Sequence, residues 1–348
     1  MNTPRSAPWQ FHPASQLNAH AAQWNELQQR TERHAFLRAS FLVALLDEFG
    51  TGAELLAVKA GASGWSAAAL LQPAGRGRWA SFQPSQLPLG PVLLAAGESL
   101  DEAARQLLRA LPGPALVLGL TQLDSLHHRG DAAALDLRSQ HYIDTAWVDV
   151  VTDFDTYWEA RGKNLRQNTR KQLKKVEASG AVPRLELIEA HEQIAEAVEQ
   201  YGMLESSGWK AEQGTAISAD GGQGRFYRHA LESAAREGHA RLYRYWFGDE
   251  VVAMDLCVHQ DDCIVILKTA YQAAHHAVSP STLMRAEEFE KLFKEGRFKR
   301  IEFFGRVMEW HTRWTESSRP LFHLTVYRWG WLKSLQEWLH RRRGAANE

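Results

Sequence analysis

The fold is decided by residues 263–304, CIVILKTAYQAAHHAVSPSTLMRAEEFEKLFKEGRFKRIEFF, which predict a strand, a loop, a helix and a second strand. The run Cys263–Leu267 is uninterrupted and apolar, as expected of a strand that is covered on both faces. After a polar loop, Ser279 and Pro280 provide a cap-like hydroxyl and a proline whose missing N–H costs nothing at a helix start. A helix is therefore predicted to begin at this point.

The helix and the second strand complete a crossover unit. Gly296 is a usual helix stop, and Arg300–Phe304 follows as the second strand. The helix face that packs on the sheet is apolar and consists of Leu283, Ala286, Phe289, Leu292 and Phe293. Two strands joined in this way run parallel. Because ligands favour the strand ends of such units, the block Lys268–Thr315 is predicted to hold a phosphorylated cofactor beside a substrate cleft.

Length and composition restrict the class of protein. At 348 residues the chain exceeds the usual single core, so two domains are expected. The formal net charge of −1 argues against a general nucleic-acid coat and against a strongly anionic membrane partner. The chain has two cysteines and no apolar signal-like region near residue 1, so a cytoplasmic protein is expected. No apolar run approaches the roughly 20 residues that a membrane span needs.

The first half of the chain predicts a mixed α and β lobe. Residues 1–20 lack periodicity and are interpreted as a flexible leader. The predicted elements that follow are helices at about 36–49 and 100–110 and strands at 55–59, 65–71, 115–120 and 142–151. No nucleophile, metal or phosphate motif occurs in this half.

From Leu165 onward the pattern of elements predicts an α+β fold. The order is helix, strand, two helices, three antiparallel strands, helix, strand, helix and strand. Such an order gives a mixed sheet with flanking helices and one parallel crossover. The predicted divisions of the whole chain are a leader at 1–20, lobes at 21–152 and 153–330, and an amphipathic helix with a tail at 331–348.

This order of elements, together with several short motifs, resembles the GCN5-related N-acetyltransferase (GNAT) superfamily. The motifs are Leu165–Lys171 with Gly180, Glu205–Lys210, Lys268–Tyr271, Ser279-Pro280, and Glu302–Arg306 with Trp314. The likeness covers about residues 155–330. It is closer to the branch associated with cellulose and exopolysaccharide biosynthesis, and to the related Fem-type aminoacyltransferases, which carry two GNAT-like halves. By that plan, residues 21–152 are a degenerate first GNAT-like lobe.

The resemblance implies an acyl-CoA donor, with acetyl-CoA expected and no metal. GNAT domains place pantetheine between splayed parallel strands and hold pyrophosphate on backbone N–H groups at a helix start, where unsatisfied donors and a partial positive charge favour phosphate. The loop His275–Thr282 is then the pyrophosphate cradle. Its expected contacts are His276, Ser279, Ser281 and Thr282. Serine stands at 279 and 281, where the common GNAT loop carries glycine.

The candidate catalytic residues are Glu302, Asp255, Tyr271 and His311. GNAT enzymes act by direct attack, which requires removal of the acceptor's proton and polarisation of the thioester carbonyl. Glu302, at the start of the second parallel strand, is the candidate base, or else it forms an ion pair with Lys268. Asp255, a lone acid on an apolar strand, is either functional or paired. The resemblance implies that Tyr271 protonates the departing thiolate. His311 either shuttles a proton or is a packed or capping residue.

The acceptor is expected near the end of a helix at Glu205, Trp209 and Lys210, because this region faces the acceptor in the resembling branch. The alternative is an exposed acid at a helix end beside a packing tryptophan. Arg225 follows a glycine-rich segment and is a candidate contact for an anionic substrate. Lys268 and Arg306 complete the predicted substrate contacts.

Two further segments allow more than one interpretation. The cationic helix around Arg166–Lys175 is expected to be a solvated face, with contact to nucleic acid or to a CoA phosphate as the alternative. The tryptophans at 329, 331 and 338 predict an amphipathic terminal helix that docks on the protein, with attachment to a membrane surface as the alternative. No metal-ligand spacing is present.

The sequence therefore predicts an acyltransferase with acyl-CoA as one partner and an amine or hydroxyl of a sugar, peptide or small metabolite as the acceptor. A Fem-like transfer from aminoacyl-tRNA is a second possibility, although the neutral net charge argues against a large RNA footprint. A non-catalytic binding module of the same fold is the third. The oligomeric state stays open.

Overall fold

The computed structural model describes residues 8–129, 134–206 and 221–344. Over these residues the chain forms two compact units. Unit 1 comprises Met1–Arg33, Leu37–Asp144 and Arg319–Glu348, and unit 2 comprises His34–Phe36 and Thr145–Ser318. The sequence predicts a change of lobe between residues 152 and 153 and a separate tail from 331. The chain instead enters unit 2 at Thr145, and its C-terminal strand and helix belong to unit 1.

The described residues form thirteen strands and ten α-helices. The strands are β1 Trp9–Pro13, β2 Leu55–Ala60, β3 Trp65–Pro73, β4 Arg78–Ser81, β5 Val92–Leu94, β6 Val117–Asp124, β7 Leu137–Asp149, β8 Pro183–Ile188, β9 Ala240–Phe247, β10 Glu250–Gln260, β11 Cys263–Tyr271, β12 Arg300–Glu302 and β13 Ser318–Tyr327. The helices are α1 Ala21–Gln29, α2 Ala39–Phe49, α3 Leu100–Ala110, α4 Phe154–Glu159, α5 Lys163–Ala178, α6 His191–Ser206, α7 Gly222–Arg236, α8 Pro280–Glu295, α9 Glu309–Thr312 and α10 Gly330–Gly344.

Unit 1 is built on strands in the order β1-β2-β3-β4-β6-β13, with β5 paired to β3. The neighbouring strands in this order run antiparallel, except that β4 and β6 run parallel. The predicted helix at 100–110 is confirmed as α3, whose leucines at 100, 107 and 108 are buried against this sheet. Ser99 caps it by accepting the Glu102 N–H, so the local sequence fixes where it starts.

The predicted flexible leader at 1–20 is wrong for residues 9–20. Trp9–Pro13 pairs antiparallel with β2, and Ala14–His20 forms a 3₁₀ helix. Trp9, Ala14 and Leu17 are buried. The segment shows no periodicity because it is a single edge strand followed by one short 3₁₀ segment, and its partner strand lies more than 40 residues away in sequence.

Unit 2 is built on strands in the order β7-β12-β11-β10-β9-β8, and only β11 and β12 run parallel. The predicted order of elements, including the crossover through α8, is confirmed. Helices α5 and α8 cover one face of the sheet, where Phe289, Leu292 and Phe293 pack against Ile264 and Ile301. Helices α6 and α7 pack against each other and against β9, β10 and β11.

Two details of the crossover differ from expectation. The second strand ends at Glu302 rather than at Phe304. Ser279 precedes α8 but does not cap it with its side chain. Both differences lie where β12 ends and α8 begins. Among the described helices, none combines the length and the apolar character that crossing a membrane requires.

Candidate functional site

The two parallel strands of unit 2 separate after three residue pairs. The pairs are Cys263 with Arg300, Ile264 with Ile301 and Val265 with Glu302. β12 then ends, and Phe304 has a left-handed backbone at φ 50°, whereas β11 continues to Tyr271. Among the described residues, the β11–β12 ladder therefore ends at Val265, and β11 continues for six residues beyond it. An extended ligand arm can pair with this open edge as an added strand does.

A bulge marks the same part of β11 on its other side. Cys257 pairs with Ile266 and Leu256 pairs with Lys268, so Leu267 has no direct counterpart on β10. A bulge bends a strand and increases its local twist. The bulge thus lies in the part of β11 just beyond the point where β12 ends.

The start of α8 lines a pocket of about 490 Å³. Its polar lining includes donors at Ser279 and Thr282 at the start of α8, at Asn164, Asn168 and Gln172 on α5, and at Arg313 after α9. Glu309 and Glu316 line it as well, and Glu309 Oε1 accepts a hydrogen bond from Arg313 Nη2 at 2.8 Å. Amides, hydroxyls and a guanidinium supply donors for phosphate oxygens and both donors and acceptors for amide groups. The pocket is thus chemically suited to a phosphorylated ligand that also carries amide groups.

Backbone donors at the start of α8 point to the same ligand chemistry. Pro280 has no N–H, and the N–H groups of Thr282 and Leu283 donate to the Ser279 carbonyl oxygen at 2.9 and 3.2 Å. The Ser281 N–H stands at the second helical position, where a helix has no carbonyl of its own to offer. The helix continues for 16 residues, so its dipole adds a partial positive charge at this end.

Ser279 adopts the backbone conformation that glycine adopts without cost. Its φ of 47° and ψ of 63° lie in the left-handed region. Its hydroxyl accepts a hydrogen bond from Gln172 Nε2 at 3.2 Å, which ties α5 to the loop. The sequence predicts a capping hydroxyl here, and the left-handed backbone explains why that is wrong: N-cap side chains reach the first turn from an extended backbone.

The structure separates the four predicted cofactor residues. Ser279 and Thr282 line the pocket, and Ser281 is half-buried in the first turn of α8. His276 is exposed, and its Nδ1 lies 3.1 Å from the carbonyl oxygen of Ala273 within its own 3₁₀ turn. The predicted contact of His276 with the cofactor has no support in this geometry.

Asp255 lies beneath α8 in a buried ion pair. Its Oδ2 accepts a hydrogen bond from Arg285 Nη2 at 2.6 Å, and both side chains are almost fully buried. The same nitrogen donates to Thr269 Oγ1 at 2.9 Å. Of the two predicted alternatives for Asp255, the structure shows the paired one. This pair fastens α8 to the sheet.

Glu288 is a second buried carboxyl in the same layer, and it was not predicted. Its side chain is fully buried beside Asp255. Burial, followed by the negative charge of Asp255, raises the pKa of Glu288 well above its usual value. This raised pKa favours the protonated, neutral form of Glu288.

Glu288→Gln is expected to raise the free energy of unfolding at neutral pH. Because the folded pKa of Glu288 lies above the unfolded value, stability is highest below the unfolded pKa and falls as pH rises through the folded pKa. Glutamine keeps the neutral shape and removes this dependence. We expect a gain on the order of 1 kcal/mol at pH 7 and a flatter pH profile, measured by urea unfolding at several pH values.

The matched control is Glu290→Gln on the same helix, where Glu290 is exposed and pairs with Lys294. It should leave the pH profile unchanged. A Glu288→Gln protein that is less stable than wild type at neutral pH would show that the carboxyl is ionised in the fold.

His311 is a structural residue. Its Nδ1 accepts the N–H of Met308 at 2.9 Å, and its ring stacks on Trp310 with centroids 3.5 Å apart. Burial, followed by the positive charge of Arg285, lowers its pKa to about 4. The predicted proton shuttle is thus a neutral capping histidine near physiological pH. The neighbours of the His311 ring, which determine its pKa, are a guanidinium and aromatic rings rather than a carboxylate.

Glu302 is fully buried at the point where the parallel strands separate. It stands at the last paired position of β12, not at the start of a longer strand as predicted. Glu302 pairs with Val265, which pairs with Val258, and Asp255 lies three residues before Val258. Since side chains alternate along a strand, Glu302 lies on the opposite face of the sheet from Asp255. Its Oε1 is 3.7 Å from Arg300 Nη1.

Two of the predicted substrate residues, Glu205 and Lys268, lie near Tyr227. Glu205, at the end of α6, is buried rather than exposed. Burial, with the charge of Glu205, raises the pKa of the Tyr201 and Tyr227 hydroxyls. Lys268 Nζ lies 5.8 Å from the centroid of the Tyr227 ring. Glu205 and the two tyrosines form a buried polar cluster beside β11, and the half-buried Lys268 lies next to it.

The remaining predicted residues are dispersed. Tyr271 is exposed at the end of β11, six residues past Val265, which corresponds to about 20 Å along a strand, so it does not share a reaction centre with Glu302. Arg225 and Arg306 are exposed. Trp209 and Lys210 lie outside the described residues.

Sequence reasoning missed Arg285, Glu288 and Gln172. A signal existed for the first two, because Arg285, Glu288 and Leu292 lie at i, i+3 and i+7 on one face of the predicted helix. Charged residues on an apolar face indicate a buried pair. Gln172 carried no signal, since only the folded backbone brings it to Ser279, 107 residues away.

Residues 163–312 match a family model described as an acetyltransferase (GNAT) domain. The match includes α5, the open edge of β11, the start of α8 and the last pair of β12. No curated protein matches this chain.

Solved structures resemble the chain over most of its length. The C-terminal domain of a protein assigned as a lysylphosphatidylglycerol synthetase from Agrobacterium fabrum has 12% identity and a TM-score of 0.58, over 89% of this chain and 92% of that one. L-PGS from Bacillus licheniformis has 13% identity and a TM-score of 0.53, over 88% and 91%. FemX has 10% identity and a TM-score of 0.58, over 88% and 96%. At these identities the likeness establishes the fold alone.

Proposed function

Because residues 163–312 form a GNAT domain, we propose that this protein is an acyltransferase that moves an acyl group, with acetyl as the expected one, from acyl-CoA to an amine or hydroxyl. The observation that supports this most directly is the early end of the β11–β12 ladder, which opens toward the start of α8. The acceptor class is a sugar, a peptide or a small metabolite.

The donor is proposed to lie along the open edge of β11. Its pyrophosphate would accept hydrogen bonds from the Ser281 N–H and from donors of the pocket at Ser279 and Thr282. Its pantetheine arm carries amides that can pair with the outward backbone groups of residues 266–271. The thioester then lies toward the last pair, Val265 with Glu302.

Glu302 is proposed as the general base. The acceptor's amine or hydroxyl attacks the thioester carbonyl, its proton passes to Glu302, and a C–N or C–O bond forms. The C–S bond breaks, and the thiolate leaves and is protonated from water. A backbone N–H of the open β11 edge would stabilise the charge that develops on the carbonyl oxygen. Full burial of Glu302 limits its contact with bulk water, which strengthens its interaction with the acceptor.

The acceptor is proposed to approach from the face that carries Glu205, Tyr201 and Tyr227. This buried polar cluster lies beside β11, and Lys268 belongs to the same group. The two tyrosines keep their protons because burial and Glu205 raise their pKa, so their hydroxyls are available to donate to an acceptor oxygen.

Acetyl-CoA is expected to bind the purified protein with a calorimetric signal and a raised melting temperature. Ser281→Glu should weaken that binding about tenfold or more, because it places a negative charge at the phosphate end of α8. His276→Glu is the matched control, since it adds the same charge to an exposed side chain outside the pocket.

Equal losses of acetyl-CoA affinity in the two variants would show that His276 also lies close to the bound pyrophosphate. Absence of any heat or stabilisation with acetyl-CoA, and with longer acyl-CoAs, would remove the main support for this function and leave a binding module of the same fold.

A transfer from aminoacyl-tRNA is the second candidate. The observation in its favour is the surface of α5, where Lys163, Arg170, Lys171, Lys174 and Lys175 are exposed. The structural likeness to FemX is compatible with it through the fold alone. Binding of tRNA that weakens steeply with salt would favour this candidate over acyl-CoA transfer.

A further inference from the structure

The C-terminal helix α10 exposes its apolar side. Trp331, Leu335 and Trp338 lie at i, i+4 and i+7, so they form one stripe on the helix, and they are exposed by 59%, 44% and 44%. Gln336 and Glu337, on other sides of the helix, are less exposed than these three. This arrangement is the reverse of a helix that docks by its apolar face, which the sequence predicts.

The helix is held to unit 1 by polar contacts. Lys333 Nζ donates to the carbonyl oxygens of Ala134 and Leu137 at 3.2 and 2.6 Å. Just before α10, the Arg328 N–H donates to the Leu116 carbonyl oxygen at 2.8 Å. These bonds fix which side of α10 faces the protein, and they leave the tryptophan stripe facing outward.

The apolar stripe continues into a larger surface at the start of α10. Trp329 is 50% exposed and stacks on Trp331 with ring centroids 5.9 Å apart. Leu135 is 84% exposed, and its backbone lies within 4 Å of the space beside Gly330. Four of the described tryptophans are exposed in total, and three of them belong to this surface. We call it the tryptophan surface.

Positive charge accompanies the tryptophan surface. The Arg342 guanidinium lies 4.1 Å above the Trp338 ring, on the same stripe one turn further on. In the sequence, residues 328–343 contain five arginines and lysines and one glutamate, although the whole chain has a net charge of −1. The segment that carries the exposed tryptophans is thus net positive.

We propose that the tryptophan surface docks on an anionic lipid surface. Tryptophan prefers the boundary between lipid headgroups and acyl chains, because its ring is apolar and its N–H can still donate a hydrogen bond. The Arg342 guanidinium beside it can reach the lipid phosphates while its stem lies along the apolar region. Pairing of two copies through this surface would bring two like-charged segments together, which disfavours a dimer as the occupant.

The test is co-sedimentation of the full chain with vesicles of phosphatidylcholine alone and of phosphatidylcholine mixed with phosphatidylserine. We expect about tenfold stronger partitioning onto the anionic vesicles at low salt. The double variant Trp331→Ser with Trp338→Ser should lose most of that binding. Its melting temperature should match wild type, because both side chains are exposed and the anchoring contacts come from Lys333 and Arg328.

Met203→Ser is the matched control, since Met203 is equally exposed, at 61%, but lies on α6. It should bind vesicles as wild type does. Equal binding to both vesicle types, no binding to either, or unchanged binding by the double tryptophan variant would overturn the proposal. A concentration-dependent dimer in light scattering that the double variant abolishes, without vesicle binding by wild type, would assign the surface to a second copy instead.

Discussion

Glu302→Gln is expected to lower kcat by about 10²–10⁴-fold while leaving the affinity for acyl-CoA close to that of wild type. Glutamine has nearly the same size and cannot take up the acceptor's proton. The carboxyl lies at the last pair of the β11–β12 ladder, on the face opposite Asp255, and the proposed phosphate contacts lie at the other end of the open edge. A change at one end should therefore affect turnover without weakening the donor contacts at the other.

The measurement is steady-state turnover with the accepted acyl-CoA and acceptor, together with calorimetry of donor binding. Glu192→Gln, at an exposed position in the first turn of α6, is the control for the loss of one carboxylate. Turnover equal to that of wild type would reassign Glu302 to a structural ion pair with Arg300. A parallel loss of donor affinity and turnover would place it in donor binding.

Arg285→Met is expected to destabilise the protein by about 3–5 kcal/mol. The substitution leaves the Asp255 carboxylate buried without the guanidinium that now donates to it at 2.6 Å. It also removes the donor to Thr269, so β10, β11 and α8 lose their common partner. Because α8 carries the phosphate end of the proposed site, donor affinity should fall together with the free energy of unfolding.

Urea unfolding at constant pH measures this loss. Arg241→Met is the comparison, because Arg241 is equally buried but its partner Glu295 is partly exposed and can reach water. Arg241→Met should lower the free energy of unfolding by clearly less than Arg285→Met does. Adding Asp255→Asn to Arg285→Met should recover part of the stability, since no unpaired charge then stays buried. Failure of the second substitution to recover any stability would show that packing of Arg285 on its aromatic neighbours, rather than charge, is what the fold depends on.

The parts of the fold that follow local rules were predictable. The apolar run at Cys263–Leu267, the proline at 280 and the glycine at 296 define the crossover, and α8 and its neighbouring strands lie where these residues place them. The helix at 100–110 follows its own cap and periodicity. In each case the signal and the structure that it decides lie within one element.

Features that depend on distant partners were not predictable. β1 and β13 pair with strands far away in the sequence, so their own residues carry little pattern. Glu288 stands among other acids on a charged helix, and its burial beside Asp255, which raises its pKa, depends on the folded sheet. Ser279 has the residue type of a helix cap, yet the turn that leads from the 3₁₀ segment into α8 requires a left-handed backbone there.

The early end of the β11–β12 ladder has a further consequence for the behaviour of the protein without its donor. A strand edge that lacks a neighbouring strand can pair with another extended chain, and such pairing can begin aggregation. Residues 266–271 continue β11 beyond the last residue of β12. A bound acyl-CoA donor that occupies this edge would compete with such pairing. The substrate would therefore also protect the enzyme from aggregation.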